Sequence, residues 1–330
     1  MNAHRRQRGI ALLVALLTVA LAAILIASLL DRGELALART RNALRNEQAE
    51  AYAQGLESYA AQVLAKDFAN DEGASDTNSD IWARPLPPQP VPGGMIMASA
   101  RDLNGCFNLN NLAAADLDHA TWLNVFRRLL GVSGVDPAVA DAVSAWLGVS
   151  TTDASTSDNY YLSLPVPYRS AQRTFAHVSE LRLVRGVTSD VYARLAPSVC
   201  ALPPGTKLNV NTASVPVLQS LGNPALTQAQ AESLWQDGQA HWTNFRQEWP
   251  NLQVNVDPSI TPQMADVKST YFLARGDITL DGIPFTFYSL IERRLAAPVG
   301  QGLRVIERSR GSDDALVAPA LPDQGADPAH

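Results

Sequence analysis

The sequence predicts an α+β chain: one long N-terminal helix, a middle region of short helices, and a small antiparallel sheet near the C-terminus. Three observations carry this. Residues 10–64 keep an unbroken helical pattern, residues 106–265 contain short helical units that recur, and residues 270–310 turn to aromatic and β-branched residues around an Asp-Gly pair. The 330 residues are 46% hydrophobic and 18% charged, enough apolar side chain for a folded core. A formal charge of −6 argues against broad nucleic-acid binding, which rests on cationic side chains displacing phosphate counterions. Two cysteines exclude a dense disulfide scaffold and a four-cysteine zinc site.

The helix comes first. Residues 1–9, MNAHRRQRG, carry Arg5, Arg6 and Arg8 and end in Gly9, and Ile10 to Leu30 contain no charge, proline or glycine. Such a run spans about 31 Å at roughly 1.5 Å per residue, matching a bilayer core of roughly 30 Å. A cleaved secretory signal has a shorter apolar region and a small-residue cleavage site, so this run reads as a retained, single-pass membrane helix. The dense basic leader favours a cytoplasmic N-terminus with residues 31–330 exported, although Arg32, Arg39, Arg41 and Arg45 follow the run closely. Beyond it, Ala49, Tyr52, Ala53, Leu56, Tyr59, Ala60, Val63 and Leu64 recur at steps of three and four. No proline occurs before Pro85, so one helix is expected from Ile10 to about Lys66. Its first half faces lipid or other helices; its second half lies on a soluble domain.

A basic leader ending in Gly, an apolar run and an amphipathic continuation resemble type IV pilins and type II secretion pseudopilins. The resemblance implies that a prepilin peptidase cuts between Gly9 and Ile10 and that the new amine of Ile10 is methylated. The family's usual Glu at the fifth mature position is replaced here by Val14. A carboxylate inside the membrane costs roughly 2.5–3.5 kcal/mol on insertion scales and is kept only with a partner. In such filaments that partner is the amine of the neighbour nearer the tip, so an apolar residue suits a subunit with no such neighbour. Taken alone, Val14 is also simply one apolar residue of an anchor.

Residues 67–98 turn polar and then proline-rich, a surface connection leading to a first strand within 67–105. The segment from Arg101 to Leu147 then offers Asn111 as an N-cap, helical apolar positions at Leu117, Leu123, Phe126, Leu130, Val139, Val143 and Trp146, and Pro137 in a helix's first turn. The pattern recurs about a hundred residues on: Leu109-Asn110-Asn111 aligns with Val210-Asn211-Thr212, each a short strand before a cap. Between them, residues 177–199 form another helix–turn–helix built on Leu181, Leu183, Val184, Val191, Tyr192 and Leu195. Helix-hairpin-helix DNA binders share such strings, but here the turns Gly131–Val135 and Arg185–Val187 are followed by Asp136 and Asp190, which repel phosphate.

GCFNLNNL, a helix ending in Trp146, SELRLVRG and LNVNTA, in that order, resemble the K minor pseudopilins of type II secretion. The resemblance implies an α-helical domain, residues 106–265, of two related SAM-like or helix-hairpin-helix-like units inserted into a pilin-like α/β domain. It also implies a place at the pseudopilus tip with the I and J pseudopilins. Some relatives bind calcium through an acidic pair after the helix-ending Trp; here Leu147-Gly148-Val149-Ser150 follow, leaving Asp153 and Asp158 in a polar loop. Two carboxylates fall short of the six to eight oxygens calcium takes, so the loop reads as solvated, with calcium the alternative and no other cofactor.

Asp281-Gly282 between ITL and IPFTFY signals a tight hairpin, and residues 303–310 a further strand. These C-terminal strands, 266–312, form a small antiparallel sheet on the second half of the helix, with polar surface positions at Thr279, Thr286 and Ser289. Residues 313–330 read as a disordered tail. Cys106 and Cys200 each precede one of the related units; in an exported domain they would be joined, and otherwise stand as two buried thiols.

No GxGxxG, P-loop, GxSxG or HExxH string occurs. His119, His177 and His241 are far apart in sequence, Asp116 and Asp118 read as first-turn acids, and Trp235, Trp242, Phe245 and Trp249 as core or a partner surface. The expected function is non-enzymatic: a minor pseudopilin with the I and J pseudopilins, H, the major pseudopilin G, the prepilin peptidase and the inner-membrane platform as partners. The alternative is a membrane-anchored DNA-binding protein of an uptake apparatus.

Overall fold

The computed structural model describes residues 3–70, 74–113, 119–149, 154–294 and 302–311. One helix, α1 (Ala3–Asn70), takes in the basic leader as well as the segment expected to be helical. It contains no proline and is rich in Ala and Leu, the strongest helix formers. The chain divides into two compact units, residues 1–54 and 55–330. In the first, every large apolar side chain from Leu13 to Leu30 is exposed, and among the described residues α1 alone is long and apolar enough to cross a membrane.

In the second unit the end of α1 meets a five-stranded antiparallel sheet. The proline run is not merely a connection: it forms β1 (Leu86–Val91), followed by β2 (Gly94–Asp102). Pro87, Pro88 and Pro90 lack N–H groups, so β1 is confined to an edge, where its outer side needs no partner. The chain then leaves the sheet for the insert. Its elements are β3 (Phe107–Asn108), α2 (His119–Val132), α3 (Val139–Trp146), α4 (Ala154–Leu162), α5 (Ser189–Leu195), β4 (Val199–Cys200), β5 (Leu208–Asn209), α6 (Val215–Ser220), α7 (Gln228–Trp235), α8 (Phe245–Glu248) and β6 (Ala265–Asp266). It returns as β7 (Tyr271–Leu280), β8 (Ile283–Arg293) and β9 (Leu303–Arg310), giving the order β1-β2-β7-β8-β9. Asp281 and Gly282, both with left-handed backbone, make the two-residue turn between β7 and β8.

Two cores result. The smaller one holds Ala60 and Leu64 of α1 against Trp82, Phe272, Ala274 and Ile291. Gly276 lets the helix approach closely, since a Cβ there would lie 3.0 Å from a Leu56 methyl. The larger core fills the insert around Phe107, Trp122 and Phe126, with Phe107 stacked on Phe126 at 5.0 Å.

Several sequence expectations change. Asn111 is no N-cap: residues 109–113 form a 3-10 turn and Asn111 is buried within it. Pro137 stands two residues ahead of α3. The supposed polar loop contains α4, because Tyr161 at its end is buried against Trp146, centroids 5.4 Å apart. Ser289 faces α1 and is buried, since its hydroxyl donates to Glu57 at 2.8 Å. Asp116, Asp118, Asp153 and the tail 313–330 lie outside the described residues.

Candidate assembly surface

Gly9 and Ile10 sit within α1, upstream of the first side chains described. Val14 is exposed on the helix surface, 54% accessible, amid other exposed apolar residues. The predicted stripe divides cleanly further along: Leu56, Ala60 and Leu64 are buried, while Tyr59 points out. Glu57 secures the same face, since Arg308 of β9 donates two hydrogen bonds to it, 2.7 and 2.8 Å long. That pairing, above all, lowers the Glu57 carboxyl below its ordinary range, against the opposing effect of burial.

Where the insert leaves the sheet, a buried polar joint braces it. Asp102 at the end of β2 accepts from the Asn104 N–H at 2.7 Å, from the Asn209 amide at 3.1 Å, from the Ser269 hydroxyl at 2.6 Å and from the Thr212 hydroxyl. Asn104 receives the N–H groups of Thr270 and Tyr271 and donates to the Lys207 carbonyl, tying the outgoing strand to the returning one. Arg293 at the end of β8 donates to both carboxylate oxygens of Asp76 and lies 4.8 Å from the Phe272 ring centroid. Burial pushes the Asp102 carboxyl up to about 6, outweighing its donors, and raises Asp76 despite Arg293. Of these residues the sequence singled out only Thr212, in the repeat, and Asn209, as part of LNVNTA.

The internal repeat acquires a physical meaning inside the insert. Asn108 and Asn209 each accept the N–H of the residue two positions on, Asn110 or Asn211. Asn110 then pairs its amide with both the N–H and the C=O of Phe175, and Asn211 does the same with Trp242. Each unit is thus a short parallel strand pair, β3 with β4 or β5 with β6, closed by an asparagine that imitates a peptide group. Phe245 and Trp249 are buried and Trp235 and Trp242 half-buried, so this aromatic set is largely core. Cys106, just before β3, and Cys200, the last residue of β4, are joined, with Cα atoms 5.8 Å apart. Arg194 of α5 donates to the Gly134 carbonyl at 2.6 Å, so the turn a DNA backbone would approach is capped from within the protein.

Among the described residues, the carboxylates grouped or expected as cation ligands have partners within the protein. Asp158 accepts from the Ser170 N–H and hydroxyl, with its expected companion Asp153 outside the described residues. Asp67, Asp76 and Asp80 lie together, but Arg293 neutralises Asp76 and Asp80 serves Thr77 and Trp82. His119 contacts the Leu112 carbonyl and His177 caps its own turn, both structural roles.

Residues 105–204 match the family described as type II secretion system, protein K. The chain is 32% identical to type II secretion system protein K of Pectobacterium carotovorum, over 93% of this chain and 97% of that one. It is 38% identical to the protein of that name from Pseudomonas aeruginosa, covering 66% and 69%, and 34% identical to that of Aeromonas hydrophila, covering 83% and 89%. Among solved structures it resembles a chain of the GspK-GspI-GspJ complex of the enterotoxigenic Escherichia coli type 2 secretion system. There the TM-score is 0.71 and the identity 28%, over 83% of this chain and 99% of the other.

Proposed function

The chain belongs to the type II secretion system protein K family, and we propose from that premise that this minor pseudopilin ends the pseudopilus. Its reading is non-enzymatic. The apolar half of α1 anchors the subunit in the inner membrane, with a cytoplasmic N-terminus and the remainder in the periplasm. A prepilin peptidase cuts after Gly9 and the Ile10 amine is methylated. Val14 then has no carboxylate to offer, which fits a subunit with no neighbour nearer the tip.

One observation carries the proposal: the position of the insert. Leu64 of α1 packs by Phe272 and Ile291, at the end of the sheet where β7 begins and β8 ends, and there the insert is braced by Asp102, Asn104 and Asn209. The head therefore stands beyond the C-terminal end of α1, in the space another subunit stacked above would need. I and J pseudopilins are the proposed neighbours at the side, with H, the major pseudopilin G and the inner-membrane platform as the wider assembly.

Two measurements on the protein from peptidase-competent membranes test this. Mass spectrometry should find an N-terminal peptide starting at methyl-Ile10, and affinity purification should recover I and J with it. An intact Met1, or salt-dependent DNA binding without pseudopilin partners, would defeat the proposal in favour of a DNA-uptake protein.

A further inference from the structure

Among the described residues beyond α1, few large apolar side chains are exposed, and three of them gather on one region of the head: Leu162 (46%), Val166 (78%) and Leu183 (45%). Three segments are tied together there. The Tyr168 hydroxyl donates to the Leu183 carbonyl at 2.9 Å, and the Arg185 N–H donates to the Tyr161 hydroxyl at 3.1 Å. The rings of Trp146, Tyr161 and Tyr168 pack together, Trp146 edge-on to both tyrosines and the Tyr161 and Tyr168 centroids 5.3 Å apart. Pro165 and Pro167 flank Val166 and restrict its backbone, so this apolar tip is held out on a stiff support.

The rim is cationic in a chain whose net charge is −6. Arg185 lies over the Tyr160 ring at 4.9 Å, and Arg182 over Tyr192 at 4.2 Å. Arg169 is largely exposed and pairs at 3.9 Å with the Asp158 oxygen that Ser170 leaves open. Glu180, two residues before Arg182, is occupied by Arg173 and by the Ala176 N–H. Exposed apolar side chains on an aromatic base, rimmed by arginines, are the composition of a binding surface rather than of ordinary solvent-facing protein.

We propose that this patch docks a protein segment carrying carboxylates beside apolar side chains. The apolar contacts would supply affinity, and the arginines would select an acidic over a basic partner. The surface is formed by residues of the insert, so the inference does not depend on where the subunit sits in a filament.

The test uses the full chain in nanodiscs of zwitterionic lipid and two labelled twelve-residue peptides, one alternating Glu and Leu, the other Lys and Leu. Fluorescence anisotropy should show the acidic peptide binding at least about tenfold more tightly. Val166→Asp should weaken it by about tenfold or more, and Arg185→Glu should reverse the preference between peptides. Circular dichroism checks that both variants are folded, as expected for exposed positions. Equal affinity for the two peptides, or indifference to both substitutions, would overturn the proposal. Binding to phosphatidylglycerol vesicles that Val166→Asp abolishes, without acidic-peptide binding, would replace it with a lipid-facing surface.

Discussion

Replacing Asp102 by Asn removes a buried titratable group while keeping its shape. The gap between an ordinary carboxyl at 3.8 and the buried one at about 6 corresponds to ~3 kcal/mol. Because the folded chain binds this proton more tightly than the unfolded one, the contribution is full below pH 3.8 and is lost as pH rises through about 6. Of this, ~2 kcal/mol falls between about pH 4.5 and 6.5. Asp76, also raised by burial, acts in the same direction, whereas Glu57, lowered chiefly by Arg308, loses stability only as pH falls below its ordinary range. Asp102→Asn keeps an oxygen for the Asn104 N–H but turns the acceptor shared by the Asn209 amide and the Ser269 and Thr212 hydroxyls into a donor, at a cost of about 1–3 kcal/mol. Urea unfolding of the full chain in detergent, followed by tryptophan emission across this pH range, measures both effects. The expected result is a wild-type protein that weakens toward neutral pH and a variant whose slope is cut to the Asp76 contribution. Identical slopes in the two proteins would refute the claim that Asp102 is buried in the joint.

Other positions give independent checks. Leu64→Ala empties the small core under the sheet and should cost about 2–5 kcal/mol in the same urea experiment, while Tyr59→Ala on the exposed side should cost little. Asn211→Ala leaves the Trp242 N–H and carbonyl without their amide partner; a loss of about 1–3 kcal/mol is expected, with faster hydrogen exchange at the Trp242 amide. Intact-mass analysis of exported protein should find no alkylatable thiol until reductant is added. Cys106→Ser with Cys200→Ser should destabilise by up to about 4–5 kcal/mol from loop-closure entropy.

What could be read from the sequence follows from how local each signal is. The helix was legible because α1 is held by its own periodicity, and the stripe through Leu56, Ala60 and Leu64 marks its buried face. The β7–β8 hairpin was legible because Asp281-Gly282 suits left-handed backbone. Strand β1 was not, because three prolines read as a connection, and only the pairing with β2 shows an edge strand. Helix α4 was hidden by polar residues; what holds its end is Tyr161 against Trp146, a contact made by tertiary packing. The joint was invisible for the same reason. Asp76, Asp102, Ser269 and Arg293 lie far apart in the chain, and no spacing rule joins a carboxylate to a hydroxyl 167 residues away. The repeat could be seen as a string, LNN against VNT, yet the function of its asparagines required seeing Phe175 and Trp242 beside them.

The central claim is that a head fixed beyond the end of α1 stops growth of a filament. Purified pseudopili carrying an epitope on this subunit, labelled with gold and imaged by electron microscopy, test it most directly. Label is expected at a single end of each filament and none along the shaft. Label spaced regularly along the length would show that subunits stack above the head, and would contradict it.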